Sequence, residues 1–356
     1  MRILLLGELS GFHANLKTGL VNLGHEVTIA GYTEGWKKMS VDFDLDSNYP
    51  RLFGKIHRLF KPLVNPLIFK NNDIVQFVSP LLFQPLFNEF LNKHIISNNT
   101  KTFLAGVSSS DPYYHIGLNT FDYTPFDEYD KSKKERYFPS FSKIDLKTHS
   151  GLLKTIDGYI PSCYDYYAGY KLMKYEKLRE IIPYPIVLEE FEFIDFPSTN
   201  KKIKLFHGIS RSNFKGSKYI IQAMETLVQK YPMDVEIEIV DRLPYAEYIK
   251  KMNNSHVVID QCRSYSYAIN ALISMAKGKI TLSGAEPIAM KSMGFEDVPV
   301  INIRPNSNQI YDELISLLEI KDRLHEISNA SRLFVKKNHD ANIIAMRYVN
   351  EWVESE

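Results

Sequence analysis

The stretch His207-Gly208-Ile209-Ser210-Arg211-Ser212-Asn213-Phe214-Lys215-Gly216 decides how the chain is read. It follows Ile203-Lys204-Leu205-Phe206, an apolar run with the length of a short buried strand. It precedes residues 217–231, where Ile220, Ile221, Met224, Leu227 and Val228 recur at helical spacing. A loop carrying glycines and cations thus joins a strand end to a helix start, the place where open α/β sheets bind ligands. Arg211 offers a planar fork for a phosphate, and Lys215 a compact point charge beside it. Gly208 and Gly216 permit backbone turns that a Cβ would obstruct. Taken alone, the same residues also read as a solvated basic loop.

A matching half-site lies further on. Val257-Val258-Ile259-Asp260 reads as a buried strand, residues 261–265 as a polar loop and residues 268–275 as an apolar-faced helix stopped by Lys277-Gly278. Ile280-Thr281-Leu282 is a further strand, running into Ser283-Gly284-Ala285-Glu286-Pro287. His-Gly-x-Ser-Arg-x-x-x-Lys-Gly, followed by Val-Val-Ile-Asp-Gln and Ala-Leu-x-x-Met-Ala-x-Gly-Lys, resembles the GT-B glycosyltransferases of the large retaining group often called family 4. The likeness is good over residues 203–303 and rests elsewhere on the order of elements. It implies an α/β fold in which two Rossmann-like domains face a central cleft.

The totals bound the class. A chain of 356 residues suggests about two domains, each with a sizeable core. Hydrophobic content of 44% against 24% charged is the balance of a soluble protein, and a net charge of +1 gives no pull toward nucleic acid. Cys163 and Cys262 are far apart and form no metal-binding spacing, which fits a reducing, cytoplasmic setting. The opening apolar run stops at Gly7-Glu8, too short for a signal segment, and no later run reaches the roughly 20 residues of a membrane span.

Taken in order, residues 2–6 are a buried strand, residues 7–11 a loop, and Phe12, Leu16, Leu20 and Leu23 a helix face leading to a strand over 26–30. Gly7 and Gly11 do not make Gly-x-Gly-x-x-Gly, so a dinucleotide fingerprint is absent. Residues 51–70 carry Arg51, Lys55, Arg58, Lys61 and Lys70 with no Asp or Glu, interleaved with Phe53, Ile56, Phe60 and other apolar residues. Such a segment suits the surface of an anionic membrane, at the inner face for a cytoplasmic protein, or a packed helix with a basic edge. Pro62 and Pro66 are expected to interrupt any long helix there.

Strands are expected over 74–78, 102–107 and 157–161, and an irregular excursion over 119–145, read as an acceptor-facing flap. The proline-punctuated, acidic stretch 186–200 reads as a linker. Beyond it, strands and helices alternate over 203–303, the pattern of a parallel sheet covered on both faces. The expected domains are thus residues 1–185 for the acceptor, 201–339 for the nucleotide-sugar, and a last helix over 340–356 crossing back to the first.

The resemblance also implies site roles. The donor is a nucleotide diphosphate sugar, bound as substrate with no further cofactor and no metal. The acceptor is a glycan or a lipid-linked sugar. Gly7 and Gly11 lie in the loop that the family places beside acceptor and donor phosphates. Asp111 and His115 follow the 102–107 strand, where the family positions the transferred sugar. His207, Gly208, Arg211, Lys215 and Gly216 form the diphosphate loop, and Ser264, Tyr265, Ser266 and Tyr267 feed a helix whose first amides face the donor. One departure stands out. The family's two glutamates, eight positions apart, fall here on Tyr265 and Ile273. Glu286, just past the next strand, is the nearest carboxylate able to replace the first. The expectation is sugar transfer; a binding protein of the same fold without turnover, or a nucleotide-sugar epimerase, are the alternatives.

Overall fold

The computed structural model describes every residue except 34–40, 48, 50, 84–86, 130–141, 196–201 and 355–356, with backbone alone at 51 and 52. The chain divides into two units. One holds Met1–His115, Asp130–Pro185 and Ala341–Glu356; the other holds Ile116–Tyr129 and Ile186–Asp340.

The first unit is built on β1 (Arg2–Leu6), β2 (Glu26–Gly31), β3 (Phe43–Asp44), β4 (Ile74–Phe77), β5 (Lys101–Gly106) and β6 (Gly158–Pro161). All pair in parallel, in the order β3-β2-β1-β4-β5-β6. Parallel strands are covered on both faces, which is why Ile3, Leu4, Leu5 and Leu6 form an unbroken apolar run with no exposure. The helices Phe12–Asn22 and Ala341–Glu354 pack against each other in this unit. Gly19 makes that approach possible: a Cβ there would lie 2.0 Å from the Ala341 carbonyl oxygen. Fully buried Tyr348 and Trp352 then complete the core, with the Trp352 ring 6.4 Å from that of Phe103.

The second unit holds β7 (Ile203–Ile209), β8 (Val235–Asp241), β9 (Val257–Ile259), β10 (Ile280–Ser283) and β11 (Val300–Asn302). These too are parallel, in the order β11-β10-β9-β7-β8. The strand order reverses between β7 and β9, so the loops leaving those two strands flank the crevice where such sheets bind ligands. Ile220, Met224 and Leu227 of the helix Ser217–Lys230 join Leu205, Val257, Ile259 and Leu282 in its core.

Several sequence expectations change. His207 and Gly208 belong to β7 and not to the loop after it, because β8 pairs with β7 all the way from Ile203 to Ile209. Pro62 lies inside the helix Arg51–Val64; near the helix end it removes a single bond, so the turn survives it. Pro66 instead opens the short helix Pro66–Phe69. The expected linker is partly core: Ile186, Val187, Leu188 and Phe191 are buried, and the Ile186 amide donates to the His339 carbonyl at 2.7 Å. Of the expected excursion over 119–145, the helices Asp111–Thr120 and Lys143–Thr155 take the ends, while residues 130–141 fall outside the described ones.

Candidate functional site

In the second unit, the loop leaving β7 carries Arg211 at the start of the short helix Ser212–Lys215. Arg211 is exposed, its guanidinium 4.1 Å above the Phe214 ring. Gly216 takes φ +74° and leads directly into the helix Ser217–Lys230. A Cβ there would stand 2.5 Å from the Cys262 sulfur, so both conformation and space require glycine.

Lys215 is placed otherwise than its sequence suggests. Its ammonium donates to Asp260 Oδ1 at 2.8 Å and to the Gly208 carbonyl at 3.3 Å. Asp260 is buried and accepts a second bond from Asn270 at 2.8 Å. Lys215 therefore joins the loop after β7 to the loop after β9, and is not a free charge beside Arg211.

His207 is fully buried between strand and helix. Its Nδ1 donates to the Ile259 carbonyl at 2.7 Å, which leaves Nε2 to accept from the Ser217 hydroxyl at 2.9 Å. Burial pushes its pKa down to about 4, so the ring is neutral at pH 7 and offers no charge to a phosphate. Its role is to hold β7, β9 and the helix start together.

The loop after β9 is buried throughout Ser264, Tyr265, Ser266 and Tyr267. Tyr267 hydrogen-bonds His339 at 3.0 Å. The Ser266 carbonyl accepts from Gln261, while its hydroxyl finds no hydrogen-bond partner among the described residues. Tyr265 stacks on Phe121 at 4.5 Å and lies 5.0 Å from Tyr123; its hydroxyl accepts from the Asp122 amide at 3.0 Å.

Glu286 is buried at the start of the helix Pro287–Ser292. Its Oε1 accepts from Tyr123, Asn302 and Arg304 at 2.7, 2.8 and 2.8 Å, and its Oε2 from Arg304 at 2.8 Å. Burial raises its pKa, but the bonds from Arg304, Asn302 and Tyr123 outweigh that and hold it below the ordinary carboxylate value. Oε2 accepts the single bond from Arg304, whereas Oε1 accepts three.

Residues of the first unit can be placed in the same way. Gly7 and Gly11 both have positive φ, and Gly11 begins the helix Phe12–Asn22. The anion position at that helix start is filled from within: Glu8 accepts from the Gly11 and Ala14 amides at 2.7 and 2.8 Å. Asp111 opens the helix after β5, and its Oδ1 lies 3.3 Å from Nε2 of exposed His115, one turn on. Cys163 and Cys262 are buried and are not joined in a disulfide. Among the described residues, no group of His, Cys, Asp and Glu is placed to hold a metal ion, and no helix is long and apolar enough to cross a membrane.

Arg263 and Arg304 are missed by the sequence reading. Arg263 is the lone Lys or Arg between Val257 and Ala276, a signal that could have drawn attention. Arg263 meets Asp127 and Glu128 from 136 and 135 residues away, and Arg304 meets Glu286 from 18 residues away; no spacing rule reveals either pairing.

No protein-family model and no curated protein sequence matches the chain. Solved structures do. A sucrose-phosphate synthase from Thermosynechococcus elongatus is similar at 13% identity and TM-score 0.65, covering 99% of both chains. HepE of Anabaena, solved with UDP and glucose, is similar at 10% identity and TM-score 0.64, again over 99% of both chains. A UDP-GlcNAc 2-epimerase from Neisseria meningitidis, bound to UDP-GlcNAc, shares 13% identity at TM-score 0.52, over 99% of this chain and 100% of its own. At such identities the likeness establishes the fold: α/β, with two parallel Rossmann-like sheets of the GT-B type.

Proposed function

We propose that the protein binds a nucleotide diphosphate sugar at the carboxyl edge of the second sheet and transfers its sugar to a glycan or lipid-linked acceptor. The observation that carries this reading is the reversal between β7 and β9, where exposed Arg211 and the start of the helix Ser217–Lys230 stand together. Solved neighbours of this fold hold UDP or a UDP-sugar, which supports a uridine donor. Asp111 and His115, at the carboxyl edge of the first sheet, are the groups proposed to assist the transferred sugar. A thermal-shift panel of UDP, GDP, UDP-glucose and UDP-GlcNAc tests the reading. A ligand at 100 times its Kd adds roughly 2.7 kcal/mol of stability, and a flat response to every member would remove the proposal.

Epimerisation is the second reading, favoured by the neighbours that are UDP-GlcNAc 2-epimerases. Incubating the protein with UDP-GlcNAc and no acceptor separates the two: a changed sugar still joined to UDP selects the epimerase.

The helix Arg51–Val64 supports a membrane-surface location for the acceptor. Phe53, Ile56, Phe60 and Val64 recur along one face and are exposed, Phe53 at 73%, and Leu67 beyond them reaches 80%. The whole of residues 51–70 contains no acidic side chain. Arg58 is paired with Asp46 at 2.6 Å. Sedimentation with phosphatidylglycerol vesicles is expected to carry the protein down, less so as salt rises, and neutral vesicles much less. Equal recovery with both lipids would return this face to an ordinary surface.

A further inference from the structure

We propose that Arg263 and Lys218 form the diphosphate site of the second unit, and that Asp127 and Glu128 occupy it as an internal competitor. The proposal rests on the nucleotide-sugar reading above and adds where the anion goes and what it must displace. Arg263 leaves the loop after β9 with its side chain 4% exposed, a burial that a guanidinium tolerates only when its charge is paired. Its Nη1 donates to the Thr124 carbonyl at 3.2 Å and to Asp127 at 3.1 Å; its Nη2 donates to Glu128 and to the Tyr219 hydroxyl at 3.2 Å. Its Nε is buried and has no hydrogen-bond partner among the described residues. Lys218 reaches the same Glu128 oxygen at 2.7 Å.

The surroundings suit an anion. Lys218 lies in the first turn of the helix Ser217–Lys230, whose leading amides favour negative charge. Gly216 brings Arg263 there, since a Cβ on Gly216 would meet Arg263 Cγ at 3.1 Å. Two consecutive carboxylates bridging a guanidinium and an ammonium repeat the charge pattern of a diphosphate in the same grip.

Residues 121–128 act as a strap across this edge. Phe121 and Tyr123 lie against Tyr265, Tyr123 holds Glu286, and the Phe126 ring is 6.1 Å from that of Phe214. Asp127 and Glu128 are its charged end. Each half of the contact is reversible: a diphosphate can replace both carboxylates at Arg263 and Lys218 without leaving either cation unpaired.

The test uses the whole protein, with UDP and inorganic pyrophosphate as probes. UDP should raise hydrogen exchange across residues 121–128 of the unaltered protein, and pyrophosphate should do the same at higher concentration. Asp127→Asn/Glu128→Gln should bind UDP about tenfold more tightly, because less of the protein is held in the occupied form. UDP binding that leaves exchange over 121–128 unchanged, or lowers it, overturns the competitor while the nucleotide reading stands. Absence of UDP binding by both proteins overturns the two together. The exchange measurement needs no variant, so it decides the matter even if the double substitution fails to fold.

Discussion

Lys215→Met is expected to destabilise the second unit by about 3–5 kcal/mol, because it leaves Asp260 as an uncompensated buried charge. The Asp260 side chain is 2% exposed and that of Lys215 13%, so water can do little to replace the lost ammonium. Asn270 would remain as a donor, which satisfies a lone pair but supplies no charge. Urea unfolding gives the magnitude, and hydrogen exchange at β7 and β9 assigns it to this unit. Adding Asp260→Asn to Lys215→Met should recover much of the loss, since the buried charge is then gone as well. Arg211→Ala is the contrast. It removes an exposed cation lying over Phe214, so stability should fall by less than about 1 kcal/mol. Under the proposed function its affinity for UDP should drop tenfold or more, the worth of one charge-assisted contact. Equal unfolding midpoints for Lys215→Met and the parent would free Lys215 for the ligand and undo this division of roles.

Trp352→Ala should cost the first unit about 3–5 kcal/mol. Trp352 is fully buried, 5.4 Å from the Tyr348 ring, and its carbonyl accepts from Lys101 at 3.2 Å. The same helix is fixed by Arg347, which donates to the Ile181 carbonyl at 2.7 Å. Removing the indole therefore leaves a cavity in a wall that is pinned on both sides and cannot readily collapse. A denaturation followed by circular dichroism should show the loss in the transition of the first unit, with the second little changed. A shift below about 1 kcal/mol would mean that the helix contributes little to that core.

The parts of this fold that could be read from sequence are those set by local pattern. Strands such as 2–6 and 280–282 are apolar runs bounded by turns, and they appear where expected within a residue or so. The turn at Gly216 is also legible, because a glycine there permits backbone that a Cβ would obstruct, and it takes φ +74°. What was not legible depends on partners distant in the chain. Lys215 looks like a phosphate ligand until Asp260 is placed 2.8 Å away. Glu286 looks like a free carboxylate until Tyr123, Asn302 and Arg304 converge on it. His207 reads as a loop residue because the strand's extension to Ile209 is decided by pairing with β8, not by its own side chain. The helices Ser307–Glu319 and Leu324–Asn338 carry no pattern used in the sequence reading, although Asn306 caps the first through its side chain.

The first unit is begun early and closed late in this sequence, and that order has a cost during synthesis. A ribosome releases all of β1–β6 before the residues of the helix Ala341–Glu354 exist. Until then the face of Phe12–Asn22 around Gly19 and the ring of Phe103 wait for their partners, and they wait while the whole second sheet is being made. The second unit has its own debt to the past, since residues 116–129 emerge long before the sheet they lie on. Neither half can reach its final state from its own continuous piece of chain. A stop codon shortly before Ala341 would remove one helix in print, yet in the cell it would strand an unfinished apolar surface of the kind that chaperones and proteases read.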